Sequence, residues 1–145
     1  MIAIASDHGG FAMKQYLISH LEERGIPFAD LGCYSEDSVD YPAYAEKVCR
    51  GIAAGEYERG VLVCGTGIGM SIAANKLPGI RAALCGDCYS AAMTRAHNDS
   101  NVLCLGGRVL GTGLAGMILD AWLDTPFSGL EKHARRIAQI KALEE

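Results

Sequence analysis

The chain has 145 residues, 50% of them hydrophobic, and a formal charge of -4 at pH 7. That length suits one well-buried domain and is short for two, and no basic cluster of the kind a nucleic-acid partner needs is present. The longest apolar run is a handful of residues, well short of the roughly 20 that span a bilayer, so no membrane partner is expected.

Met1 leads directly into the apolar run "IAIAS" (2–6), a predicted buried strand. With no charged leader or cleavage site before it, a cytoplasmic location is expected. In "GFAMKQYLISHLEERG", Met13, Leu17, Ile18 and Leu21 fall on one helical face, and Gly25 supplies the C-terminal stop. "IPFADLG" reads as a second strand and "CYSEDSVDYP" as an irregular loop. Pro42 suits the start of a helix through "AYAEKVCRGIAAG". "GVLVC" (60–64) is a third strand, apolar throughout as strands buried on both faces are. "IRAALC" (80–85) and "NVLCLG" (101–106) give two more, and helices are predicted over 67–77, 88–97, 112–123 and from 129 to the end. Strands alternating with helices predict a single domain over 1–145: a three-layer α/β/α Rossmann-like sandwich on a five-stranded parallel sheet.

In such sheets ligands bind beyond the carboxyl ends of the strands. The first strand runs into Ser6-Asp7-His8-Gly9-Gly10, the third into Cys64-Gly65-Thr66-Gly67-Ile68-Gly69, and the fifth into Gly106-Gly107-Arg108. The fourth helix ends in His97-Asn98-Asp99. All four groups are expected to gather on one rim.

The glycine loop has several readings. G-x-G-x-x-G marks a dinucleotide site, and Asp87 stands where a ribose-binding acid is expected, but the third glycine of that pattern falls on Met70. No Lys-Ser/Thr follows to make a Walker loop. A tight turn needing glycine for its backbone alone is the bland reading, and an anion cradle at a helix start is the functional one. Backbone N–H groups around Cys64 favour a thiolate there. Such a thiolate suits a nucleophile, with His97 and Asp99 as partners, or a base that abstracts a proton beside an oxyanion-binding loop. Of the six cysteines, Cys85 and Cys88 form C-x-x-C, yet no second pair completes four metal ligands, and core packing is the expected role.

Together "SDHGG", "DYP" (40–42), "CGTGIGMSIAANK" (64–76), "HNDSNVLCLGGR" (97–108) and "KHARR" resemble ribose-5-phosphate isomerase type B, whose family includes galactose-6-phosphate isomerase. The resemblance covers essentially the whole chain. It implies a sugar-phosphate isomerase domain that interconverts ribose 5-phosphate and ribulose 5-phosphate through a cis-enediolate, without metal or cofactor. It casts Cys64 as the base, and the N–H groups of Gly65, Thr66, Gly67, Ile68 and Gly69, with the Thr66 hydroxyl, as the enediolate site. His97 is cast as the residue that opens the furanose ring, with Asp7 and Asn98 at the sugar hydroxyls. His8, Arg108, His133 and Arg136, with Tyr41, are cast as the phosphate grip. Arg136 matches the family's spacing from His133, with Arg135 as the alternative at the phosphate. The resemblance also implies a homodimer, or a dimer of dimers, whose active sites are shared between subunits.

Three alternatives remain at this level. A six-carbon aldose phosphate, allose or galactose 6-phosphate, fits the same cradle. A Cys64-nucleophile hydrolase or transferase would form a covalent adduct. A non-catalytic nucleotide-binding module would bind AMP or NAD without turnover.

Overall fold

A computed structural model describes residues 1–144. Five strands, β1 (Ile2–Ser6), β2 (Phe28–Asp30), β3 (Arg59–Cys64), β4 (Ala82–Leu84) and β5 (Val102–Gly106), pair in the order β2-β1-β3-β5-β4, all parallel. The helices are α1 (Phe11–Glu23), α2 (Tyr41–Ala53), α3 (Ile68–Ala74), α4 (Cys88–Asn98), α5 (Thr112–Asp124) and α6 (Glu131–Lys141). The expected sandwich is therefore the observed one.

Right-handed crossovers dictate which helix covers which face. The steps β1 to β2 and β4 to β5 run one way across the sheet, and β2 to β3 and β3 to β4 run the other. Accordingly α1, α4 and α5 pack on one face, against Ile4, Val61, Val63, Leu103 and Leu105. The helices α2 and α3 cover the opposite face, against Ala3, Ala5, Leu62, Cys64 and Cys104. The chain leaving β3 thus turns to one face while the chains leaving β1 and β5 turn to the other. Crevices open on both sides of Cys64, the arrangement that makes a strand-order reversal a binding place.

Local chemistry sets the element ends. Pro42 lies in the first turn of α2, and Gly25 takes φ +67° directly behind α1. The strand β4 is three residues long rather than six, and α3 stops at Ala74 before the turn that precedes Pro78-Gly79. One turn of 3-10 helix over His8–Gly10 was not expected. Asp7 Oδ1 accepts the Gly10 N–H at 3.0 Å, and a Cβ on Gly10 would stand 2.4 Å from the Val63 carbonyl oxygen. Only glycine lets this turn lie flat on β3.

Lys14 also departs from expectation, since a helical lysine ordinarily faces water. Its side chain is wholly buried, its Nζ donating to Asp30 Oδ1 at 2.6 Å and the Cys33 carbonyl at 2.7 Å. The rings of Phe11 and Tyr34 lie 5.4 and 5.3 Å from that ammonium. A buried ammonium is tolerated because it is paired and hydrogen-bonded, and it fixes the start of the 33–40 loop. His20 is half-buried, and it meets Asp120 Oδ1 at 2.8 Å to tie α1 to α5.

Candidate active site

Three strand ends are stitched into one platform. The Asp7 N–H donates to the Val63 carbonyl at 3.2 Å, Gly107 N–H to that of Cys64 at 2.8 Å, and Arg108 N–H to that of Gly65 at 2.9 Å. Cys64 is 5% exposed, and the Gly67 N–H donates to its sulfur at 3.1 Å. A donor aimed at the sulfur stabilises negative charge there. Gly67 is demanded twice: its φ is +78°, and a Cβ would lie 2.9 Å from the Leu105 carbonyl carbon.

The Thr66 oxygen accepts the Ile68 N–H at 3.2 Å, which leaves its own proton to donate outward. Among the described residues the amides of Gly65, Thr66 and Gly69 have no partner. A Cβ built on Gly9 would stand 3.3 Å from both Arg108 Cζ and the Gly65 nitrogen, and 3.4 Å from Asp7 Oδ1. The bare backbone at Gly9 therefore leaves a point where a carboxylate, an amide and a guanidinium converge.

His8 is oriented by the loop before α2. The Val39 N–H donates to its Nδ1 at 3.2 Å, so the neutral ring carries its proton on Nε2. The Tyr41 ring lies over Gly69, where a Cβ would meet it at 2.6 Å. Thus Asp7, His8, Tyr41, Cys64, Thr66, the glycine loop and Arg108 belong to one surface.

The remaining candidates lie elsewhere, which corrects the expectation of a single rim. In a parallel sheet each helix carries the chain back to the amino end before the next strand begins. His97 and Asn98 close α4 and so sit at the amino end of β5. The register places Gly60 opposite Val102 and Cys64 opposite Gly106, and the Gly60 N–H donates to Asn101. At about 3.3 Å per residue along β3, His97 lies on the order of 15 Å from the Cys64 of its own chain.

At that far end the rings of His97 and His133 are 4.3 Å apart. Ser128 Oγ meets His133 Nδ1 at 2.7 Å, and Ser128 N–H donates to Ala96. Arg135 is engaged with Glu131 at 2.7 Å, whereas Arg136 is exposed and makes no hydrogen bond or ion pair among the described residues. The Arg136 side chain is thus the one available to a ligand.

Burial holds the His133 ring below the usual histidine range, and the charges of His97, Lys132 and Arg136 add to the effect. The unfolded chain then binds more protons than the native one around the ordinary histidine value. Stability from this group is present above about pH 6.5 and is lost as pH falls through the lower native value. Melting curves at about pH 7 and about pH 5.5 are expected to show a larger drop for the wild type than for His133→Gln.

The C-x-x-C pair takes no part in either cluster. Burial pushes the Cys85 thiol up to about 11, Cys49 up to about 12, and Cys104 well up as well. Asp87 caps α4 by accepting the Ser90 N–H at 2.6 Å, which with the Ser90 hydroxyl holds its carboxyl low. It is a helix cap, not a ribose-binding acid. A cavity of about 660 Å³ lies at the amino end, lined in part by Lys76, Arg81, Asn98 and Ile140, rather than over Cys64.

A family model described as Ribose/Galactose Isomerase matches residues 2–140. The chain belongs to that family. It is 49% identical over 144 residues to ribose-5-phosphate isomerase B of Escherichia coli K12, covering 99% of this chain and 96% of that one. D-erythrulose-4-phosphate isomerase of Pectobacterium atrosepticum is 43% identical, covering 88% and 85%. The solved structure of Clostridium thermocellum ribose-5-phosphate isomerase B superposes with a TM-score of 0.96 at 48% identity, over 99% and 96% of the two chains.

Proposed function

We propose that this chain is an aldose–ketose isomerase that interconverts ribose 5-phosphate and ribulose 5-phosphate, with Cys64 as the base. The observation that carries the reading is the Gly67 N–H donated to a nearly buried Cys64 sulfur beside unpartnered loop amides. A base and oxyanion donors are what proton transfer next to a carbonyl requires.

The Cys64 thiolate takes the C2 proton of the open-chain aldose and delivers a proton to C1, while the O2 hydroxyl proton passes to O1. Charge on the enediolate oxygen is met by the Gly65, Thr66 and Gly69 amides and the Thr66 hydroxyl. The amides of Gly67 and Ile68, expected among these donors, are instead engaged by Cys64 and Thr66. Asp7 holds the turn with one oxygen and keeps the other for the sugar hydroxyls. Arg108, His8 and Tyr41 receive the substrate at the same surface.

His97, Asn98, His133 and Arg136 serve the site of a second copy, in a homodimer with shared sites. The separation of His97 from Cys64 within one chain supports this assembly. His97 then gives a proton to the ring oxygen, and Arg136 and Arg108 grip the phosphate dianion as guanidinium forks do. A cytoplasmic setting is part of the same reading, and among the described residues no helix is long and apolar enough to cross a membrane.

The test is the rate of ketose formation from ribose 5-phosphate, with and without EDTA, beside allose 6-phosphate, galactose 6-phosphate and erythrose 4-phosphate. Ribose 5-phosphate is expected to give the highest kcat/KM, unchanged by EDTA. A higher value for a four- or six-carbon substrate would replace the substrate and leave the chemistry standing. A rate abolished by EDTA would overturn the cofactor-free mechanism.

A further inference from the structure

The turn that follows His97 and Asn98 is held by more than a helix end requires. Asp99 closes α4 with φ 46° and ψ 48°, a left-handed conformation that aspartate tolerates better than most residues and that here is held by its neighbours. Two arginines brace it. Arg81, just ahead of β4, donates from Nε to the Asn98 carbonyl at 3.0 Å and the Asp99 carbonyl at 3.1 Å, and from Nη2 to the latter at 2.9 Å. Its Nη2 also faces Asp99 Oδ2 at 3.6 Å.

Arg95, one turn back on α4, reaches Asp99 Oδ1 at 2.9 Å and the Ser100 carbonyl. Arg95 is itself seated over the Trp122 ring, whose Nε1 donates to Ser100 Oγ at 2.9 Å. The Arg95 Nε is left buried without a partner among the described residues, a cost the fold bears to keep the guanidinium there.

From this geometry we infer that Arg81, Arg95 and Asp99 form a clamp that positions His97 and Asn98 for ring opening. The inference rests on the role given to His97 under Proposed function. None of the three touches the reacting atoms, so they are positioning residues. Arg81 grips the carbonyl of Asn98 itself, so the reach of Asn98 and the preceding histidine toward the second subunit is fixed from behind. A fork that meets several carbonyls satisfies groups a helix end leaves open and fixes its direction as well. A displacement of about 1 Å at a reacting group costs up to a hundredfold in rate.

Ribose 5-phosphate is a closed furanose, while ribulose 5-phosphate is open-chain and needs no ring opening. The experiment therefore follows two reactions at saturating substrate. One is ketose formation from ribose 5-phosphate, and the other is exchange of a C1 proton of ribulose 5-phosphate with D2O, which uses the base, the loop and the bound substrate but no ring opening. For Arg81→Met and Asp99→Asn, turnover of the aldose is expected to fall about ten- to a hundredfold, with C1 exchange within about twofold of wild type. Arg81→Lys, which keeps the charge without the fork, carries the test if the methionine variant does not fold.

Equal loss of both reactions would mark a general structural role and overturn the clamp, as would no loss in either. Absence of both reactions in the wild type would instead overturn the isomerase reading, and the clamp with it.

Discussion

A Cys64→Ala chain is expected to lose isomerisation by at least about a hundredfold, the contribution of a positioned general base. The fold should survive, because removing one sulfur from a small buried side chain costs on the order of 1 kcal/mol. Cys64→Ser sharpens the result. Its hydroxyl can still accept the Gly67 N–H that now reaches the sulfur at 3.1 Å, yet a serine hydroxyl is scarcely ionised at neutral pH. Packing and hydrogen bonding are thereby kept while the base is removed, and the serine chain should be as inactive as the alanine chain. Initial rates with ribose 5-phosphate, beside thermal melts of all three proteins, check this. Retained activity in the serine chain would make Cys64 a packing residue, and the active-site account would fall.

The second large effect concerns assembly. Cys64→Ala and His97→Ala chains should each be nearly inactive alone, since in the proposed homodimer each damages every site. Co-expressed, they form mixed dimers in which one site carries both defects and the other carries none. Random pairing makes about half the dimers mixed, so about a quarter of wild-type activity is expected. If each site drew all its residues from one chain, the mixture would stay inactive. The sheet register argues for restoration, because Cys64 lies opposite Gly106 at one end and His97 precedes Val102 at the other. Arg136→Ala in place of His97→Ala should complement Cys64→Ala in the same way, though from a higher starting activity.

Strand and helix positions were legible in the sequence wherever period and punctuation agreed. "GVLVC" is apolar at every position because both of its faces are covered, and Pro42 and Gly25 mark helix boundaries that the structure keeps. The strand β4 was overextended because "IRAALC" is apolar beyond the three residues that find a partner on β5. The cradle around Cys64 was visible as glycines after an apolar run, but not which amide turns to the sulfur, since that depends on the left-handed Gly67. The placement of His97 is hidden from sequence for a topological reason: polar residues beside a strand in sequence adjoin its amino end as readily as its carboxyl end. Lys14, Arg81 and Arg95 carried no signal, because a buried or clamped cation looks in sequence like any solvated one. Their partners, Asp30, the Asn98 carbonyl and Asp99, are brought up only by the fold.

The most direct measurement of the central claim is NMR of wild-type enzyme turning over ribose 5-phosphate in D2O. Abstraction by Cys64 and return through an enediolate predict deuterium accumulating at C1 of ribulose 5-phosphate over repeated turnovers, because a proton held on sulfur exchanges with solvent in a fraction of events. Ketose that stays fully protiated at C1 even after many turnovers, when any exchange from sulfur would have accumulated, would mean a hydrogen that moves as hydride, and would contradict a Cys64 base.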